Sequence, residues 1–369
     1  MTAPYTLADP SAVPSPALLF YPALIRQNLR RAVEVAGGPD RLRPHVKTHK
    51  TREIVRLWLD LGVRKHKCAT LAEAEMLAGC GAPDVLIAYP LVGPNVDRLA
   101  GLAERFSNTR FATLADDAEA VRALSAAVAA RKQTIGVLLD VDVGQHRTGI
   151  ALGLKAAELY ELIAGSPGLV PGGLHVYDGH NRQENPAERA AAVDELLGPV
   201  LAFRAALEKF GRPVPRLVLG GTPTFPIHAR RTEPGVECSP GTMVLHDHNY
   251  GSRYPDVSGF TPAAVVFTRV VSRPTRTRIT LDLGTKAVAA DSPAGQRCEV
   301  LDLPDAVAVA HNEEHLVIET PAAERFKPGH GLYAIPAHVC PTVALYPRAL
   351  TVEDGRVTGN WAIAARDRN

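Results

Sequence analysis

RFATLADDAEAVRALSAAVAARKQTIGVLLDVD, residues 110–142, is the stretch from which the architecture of this chain is read. Arg110–Ala115 is short and largely apolar, as a parallel strand covered by helices should be. Asp116 and Asp117 follow, and Val121, Leu124 and Val128 then recur at helical spacing. Thr134–Asp142 is a second apolar run. The unit is strand–helix–strand.

The same alternation extends in both directions. Upstream lie candidate strands Ala17–Tyr21, Leu42–Lys47, Lys65–Thr70 and Asp84–Tyr89; downstream lie Gly172–Tyr177, Arg216–Gly221 and, more weakly patterned, Gly235–Gly241. Between them Ile54, Leu57, Trp58 and Leu61 share one helical face, and Thr70 with Glu73 has the capping-box spacing. Gly79 and Gly81 are placed to close that helix, and residues 187–210 read as one long helix. About eight such alternations favour a closed (β/α)8 barrel over an open doubly wound sheet. Beyond residue 255 the pattern changes. Val265–Ser272, Arg278–Leu283, Ala306–His311, His315–Glu319, Gly331–Ile335, Ala349–Glu353 and Arg356–Trp361 read as strands joined by turns. The expected division is a barrel over 17–250 and an all-β domain over 255–369, the latter joined by residues 1–16.

Composition narrows the function classes. The 369 residues are 46% apolar, and 41 basic against 39 acidic side chains leave a formal charge of +2. These charges are interspersed, with no basic stripe, so nucleic acid is not the expected partner. The first residues lack a basic flank and a long apolar run, so neither a signal peptide nor a membrane anchor is expected. Five scattered cysteines suit a reducing cytoplasm better than a disulfide framework.

Barrel chemistry gathers at the C-terminal ends of strands. The second candidate strand ends in Arg43-Pro44-His45-Val46-Lys47-Thr48-His49-Lys50, which puts a lysine at the barrel mouth, where burial and neighbouring cations can free its amine for imine formation. Arg147, after the apolar run Val137–Leu139, and Tyr177 belong to the same rim. Gly220-Gly221-Thr222 offers backbone N–H groups and a hydroxyl to a phosphate, and neither it nor Pro240-Gly241-Thr242 matches a P-loop or dinucleotide fingerprint. His338-x-Cys340 puts imidazole and thiolate on one face of an extended strand, a donor pair suited to zinc.

These segments, together with Lys67-Cys68-Ala69-Thr70, Asp140–Gly149 and Leu174–His180, occur in one unbroken order. The whole resembles the fold-type III pyridoxal-phosphate enzymes, in particular the D-threonine aldolase and D-serine dehydratase group. That resemblance implies an alanine-racemase-like barrel with a C-terminal β domain, and a homodimer. It makes Lys47, and not Lys50, the lysine that carries pyridoxal phosphate. Arg147, Tyr177, Gly220, Gly221, Thr222, Gly241 and Thr242 become cofactor contacts. It makes His338 and Cys340 ligands of a divalent ion, zinc or manganese, and His180 an acid–base group beside the catalytic Lys47 and Tyr177. His311 and His315 resemble a segment that faces the site from the β domain. The activity implied is cleavage of a D-β-hydroxy amino acid to glycine and an aldehyde. The alternative is dehydration of D-serine or D-3-hydroxyaspartate; a third reading is an amino-acid racemase. The Tyr177–His180 motif leans to the aldolase, Cys340 to the dehydratase.

Overall fold

The computed structural model describes residues 5–257 and 259–368. The strands in chain order are β1 (Ala17–Phe20), β2 (Lys65–Cys68), β3 (Asp84–Pro90), β4 (Arg110–Ala115), β5 (Ile135–Val141), β6 (Leu169–Val176), β7 (Leu217–Leu219) and β8 (Val236–Cys238). There follow β9 (Ala264–Ser272), β10 (Arg278–Leu281), β11 (Cys298–Val300), β12 (Val307–His311), β13 (Leu316–Glu319), β14 (Gly331–Pro336), β15 (Arg348–Glu353) and β16 (Arg356–Ala362).

Strands β2 to β8 pair consecutively and in parallel. The gap between β8 and β2 is closed by residues 42–45. Leu42 bridges Cys238 on one side and His45 bridges Lys67 on the other, both in parallel. The backbone N–H groups of Arg43 and His45 donate to the carbonyls of Cys238 and Pro240, and that of Lys67 donates to Pro44. Eight staves therefore close a barrel, as the alternation of patterns implied. Helices lie outside, each started by local chemistry: Thr70 accepts from the N–H of Glu73 at 3.1 Å and Asp117 from that of Ala120 at 2.9 Å. The long helix runs over Pro186–Lys209, with the Asn185 side chain accepting from Ala187 and Glu188.

The barrel interior is layered. Leu86, Ala112, Leu114, Leu138 and Val218 form a small apolar cluster. Fully buried Arg43 joins Asp84 and Glu237, each at 2.6 Å. Burial pushes both carboxyls up, and the Arg43 guanidinium pulls them further down, so both stand below their ordinary range.

The second sheet has nine strands, with the order β12-β13-β10-β9-β1-β15-β16 and β14 pairing with β9 and β11. This corrects the reading of Ala17–Tyr21 as part of the barrel alternation. Strand β1 pairs antiparallel with β9 and parallel with β15, and its four residues are buried. Its apolar run fits either sheet; only the partners decide, and those lie more than two hundred residues away in sequence. The β11 strand was not expected, and the first four residues of the expected 1–16 segment lie outside the described residues. Among the described residues no helix is long and apolar enough to cross a membrane.

Candidate active site

The stave 42–45 ends where His45 turns the chain. Its Nδ1 accepts from the N–H of Lys47 at 3.3 Å, capping a 3-10 turn over Val46–Thr48. The strand expected to reach Lys47 therefore stops at His45, and Lys47 projects from a turn. Lys50 takes a left-handed backbone, φ 52°, and its ammonium is paired with fully buried Glu73. The other Glu73 oxygen accepts from the N–H of Ala69 at 2.7 Å. Lys50 is thus committed to the fold, whereas among the described residues no carboxylate is paired with Lys47.

Lys47, Arg147, Tyr177, Gly221, Thr222, Gly241 and Thr242 line one cavity with about 490 Å³ of atom-free space, partly open to solvent. The Arg147 guanidinium lies 4.8 Å from the centre of the Tyr177 ring, a cation–π distance. The two glycine loops interlock: the Thr222 hydroxyl accepts from the N–H groups of Gly241 at 3.2 Å and Thr242 at 3.0 Å. A Cβ on Gly241 would stand 3.2 Å from Cβ of His45, so a bare backbone is what lets this loop approach the Lys47 turn. Gly220 does not line the cavity. At φ 71° it turns behind it, where a Cβ would overlap the His228 ring. Its neighbour Thr224 and His228 bond the two oxygens of buried Asp178, at 2.9 and 2.8 Å, which fixes the loop from behind.

Residues not singled out from the sequence complete the wall: His45, Lys67, Ala88, His175, Ser239 and Tyr250. Burial and then the charges of Lys47 and Lys67 hold His45 well below its ordinary value. Burial also lowers His175, against the pull of Asp140, whose carboxylate lies 2.7 Å from its Nδ1. The Ser239 hydroxyl is buried with no partner in the protein. Such an orphan, beside a lysine, two Gly/Thr loops and an arginine, fits a cofactor that brings an aldehyde, a phosphate and a polar ring.

His180 does not join this wall. Its Nε2 lies 3.2 Å from where a Cβ on Gly144 would stand, and its Nδ1 is buried without a partner. His311 donates to or accepts from nothing near Lys47; its Nε2 meets the Leu283 carbonyl at 2.9 Å, and with His315 it lines a separate cavity. These two therefore do not face the Lys47 cavity within this chain.

His338 and Cys340 are not on a strand as expected. Strand β14 ends at Pro336, His338 caps a helix, and Cys340 is its second residue. The helix start, rather than strand alternation, brings them together, and each shifts the other's ionisation. Burial raises the Cys340 thiol, but His338 and then Lys47 pull it below its ordinary value; burial lowers His338, but Cys340 and Asp291 carry it up to about 9. Cys340 Sγ lies 3.1 Å from the Thr48 hydroxyl and 3.5 Å from that of Thr242, beside the cavity. Asp291 engages the Nδ1 of His338, and the ring also hydrogen-bonds the Cys340 side chain. A thiolate and an imidazole oriented by a carboxylate fit a zinc-type divalent ion. Among the described residues no group of three or more His, Cys, Asp or Glu forms a fuller set.

Fold and cavity define a barrel enzyme in which a lysine, an arginine, a tyrosine and two Gly/Thr loops share one cavity with a His–Cys pair at its edge. Residues 22–247 match the model for the alanine racemase N-terminal domain and residues 263–352 that for a putative serine dehydratase domain. The chain is 31% identical to a D-threonine aldolase of Arthrobacter sp over 97% of its length and 94% of that protein. It is 26% identical to a 3-hydroxy-D-aspartate aldolase of Paracoccus denitrificans over 98% and 94%. The crystal structure of D-threonine aldolase from Filomicrobium marinum superposes with a TM-score of 0.89 at 29% identity, covering 99% of both chains. The chain belongs to the fold-type III pyridoxal-phosphate lyases of the D-threonine aldolase and D-serine dehydratase family.

Proposed function

We propose that this protein is a pyridoxal-phosphate-dependent, divalent-metal-assisted lyase that cleaves D-β-hydroxy amino acids such as D-threonine to glycine and an aldehyde. The observation that carries this reading is the convergence of Lys47, Arg147, Tyr177 and the Gly221–Thr222 and Gly241–Thr242 loops on one cavity beside His338 and Cys340. Similarity to two aldolases along nearly the whole chain supports it.

When bound, the cofactor supplies an electron sink for bond cleavage at Cα, and the divalent ion a Lewis acid for the β-hydroxyl. Lys47 is the amine that holds the aldehyde. Tyr177 and Arg147 would contact the ring, and the Gly221–Thr222 and Gly241–Thr242 loops would hold the phosphate. His338 and Cys340 hold the ion. His180, whose buried Nδ1 has no partner among the described residues, is the candidate group to take the proton of the β-hydroxyl. A homodimer and a cytoplasmic location complete the reading.

Dehydration of D-serine or D-3-hydroxyaspartate is the second reading, favoured by a cysteine at position 340, since a His-x-Cys pair resembles that of the dehydratases. Product identity separates the two: glycine and acetaldehyde from D-threonine support the aldolase, pyruvate and ammonia from D-serine the dehydratase. Activity that survives exhaustive chelation, with D- and L-forms interconverting, would replace both by a racemase.

A further inference from the structure

Among the cavity groups that the proposed function leaves without a role is one lysine. Lys67 lies in β2, 3% exposed, and pairs in register with His45, so its side chain enters the cavity from the stave next to that of Lys47. Its ammonium stands 6.0 Å from the centre of the Tyr177 ring, the ring that Arg147 also covers.

Its electrostatic surroundings are unusual. Two carboxylates act on it, and both are already engaged. Asp140 is held by His175 at 2.7 Å and Thr148 at 2.8 Å; Asp178 is held by Thr224 and His228. Among the described residues no Asp or Glu lines the cavity. Lys50, also buried, has Glu73; Lys67 has no such ion pair among the described residues, and burial and then the Lys47 charge push its pKa down to about 7. A buried cation without a counter-ion is costly unless a ligand supplies one.

This inference rests on the function proposed above. We propose that Lys67 is a ligand-binding residue of the same site, whose ammonium receives an anionic oxygen of the cofactor ring or of the amino-acid carboxylate. An anion beside it raises its pKa, so binding takes up a proton and weakens as pH rises from about 7. The other groups facing Lys67 do not mimic this. From its neighbouring stave come Lys47, His45 and Arg43; Asp140 comes from β5, and His175, Tyr177 and Asp178 from β6 and the loop after it. His45 and His175 are held below their ordinary values by burial, and Arg43 stays charged.

The test compares the wild type with Lys67→Gln, Lys67→Met and Lys67→Arg, measuring pyridoxal-phosphate affinity by absorbance titration between pH 6.5 and 8.5, KM for D-threonine and thermal midpoints. A ring contact predicts that Lys67→Gln weakens cofactor binding about 10- to 100-fold; a carboxylate contact predicts the same factor in KM with cofactor affinity kept. Lys67→Arg should restore most of either loss and flatten the pH dependence. Equal cofactor affinity and KM in Lys67→Gln and wild type would overturn the proposal. So would a lowered thermal midpoint in both neutral variants, which would assign Lys67 to the fold. Absence of a borohydride-trapped adduct at Lys47 in the wild type would instead remove the parent reading.

Discussion

At the scale of single residues, two lysines three positions apart do opposite work. Lys47→Ala should abolish the borohydride-trapped cofactor adduct and reduce turnover at least about 1,000-fold with the fold intact, a loss on the scale of removing a nucleophile. Lys50→Met should do the reverse. It strands the fully buried Glu73 carboxylate, at a cost of about 3–5 kcal/mol, read as a lower denaturant midpoint. Asp291 offers a third test, because it orients His338. Asp291→Asn should loosen divalent-ion retention about 10- to 100-fold in competition with a chelator, and unchanged retention would detach Asp291 from that role. The motif around Lys47 is legible in the sequence because its residues are contiguous. Ser239, Tyr250 and the free state of Lys67 are not, because each depends on side chains converging from different staves.

At the scale of elements, the stave 42–45 is the one that matters most. It holds the barrel shut through two bridges and a few backbone hydrogen bonds, and it aims Lys47. Gly241→Ala presses on it: the new methyl would meet His45 and the Thr48 hydroxyl, at 3.2 and 3.3 Å. The expected outcome is weaker cofactor binding with a far smaller change in unfolding midpoint, measured side by side. Element type was read well from apolar periodicity, since strand and helix repeats differ at short range. Element partnership was not. Strand β1 has the apolar character of a barrel strand and sits in the other sheet, and the His338–Cys340 pair has strand spacing yet begins a helix. Periodicity reports which side of an element is buried, and says nothing about what buries it.

At the scale of the whole molecule, stability and pH are joined through buried polar groups. Arg43 is the fully buried partner that Asp84 and Glu237 share, while Lys65 reaches Glu237 and Arg110 and Arg216 reach Asp84 from more exposed positions, so Arg43→Met should cost about 3–5 kcal/mol, measured by denaturant titration. Burial depresses His49 and His66 to about 3 and His246 to about 4, from 6.5. The unfolded chain therefore binds more protons than the native one below pH 6.5. Stability contributed by these neutral imidazoles is complete above that value and is lost as pH falls from 6.5 to the native values. Each costs about 1.4 kcal/mol per pH unit inside the window. The thermal midpoint should fall steeply between pH 6 and 4, before most carboxylates titrate; a flat profile there would contradict the buried neutral state. One further consequence concerns the order in which the chain is made. Strand β1 leaves the ribosome early, yet both its neighbours, β9 and β15, are synthesised after every barrel stave. During translation its Leu18, Leu19 and Phe20 must wait, apolar and unpaired, until β9 has emerged, and the second edge until β15 has. That interval is when this enzyme is most exposed to aggregation and most dependent on chaperones.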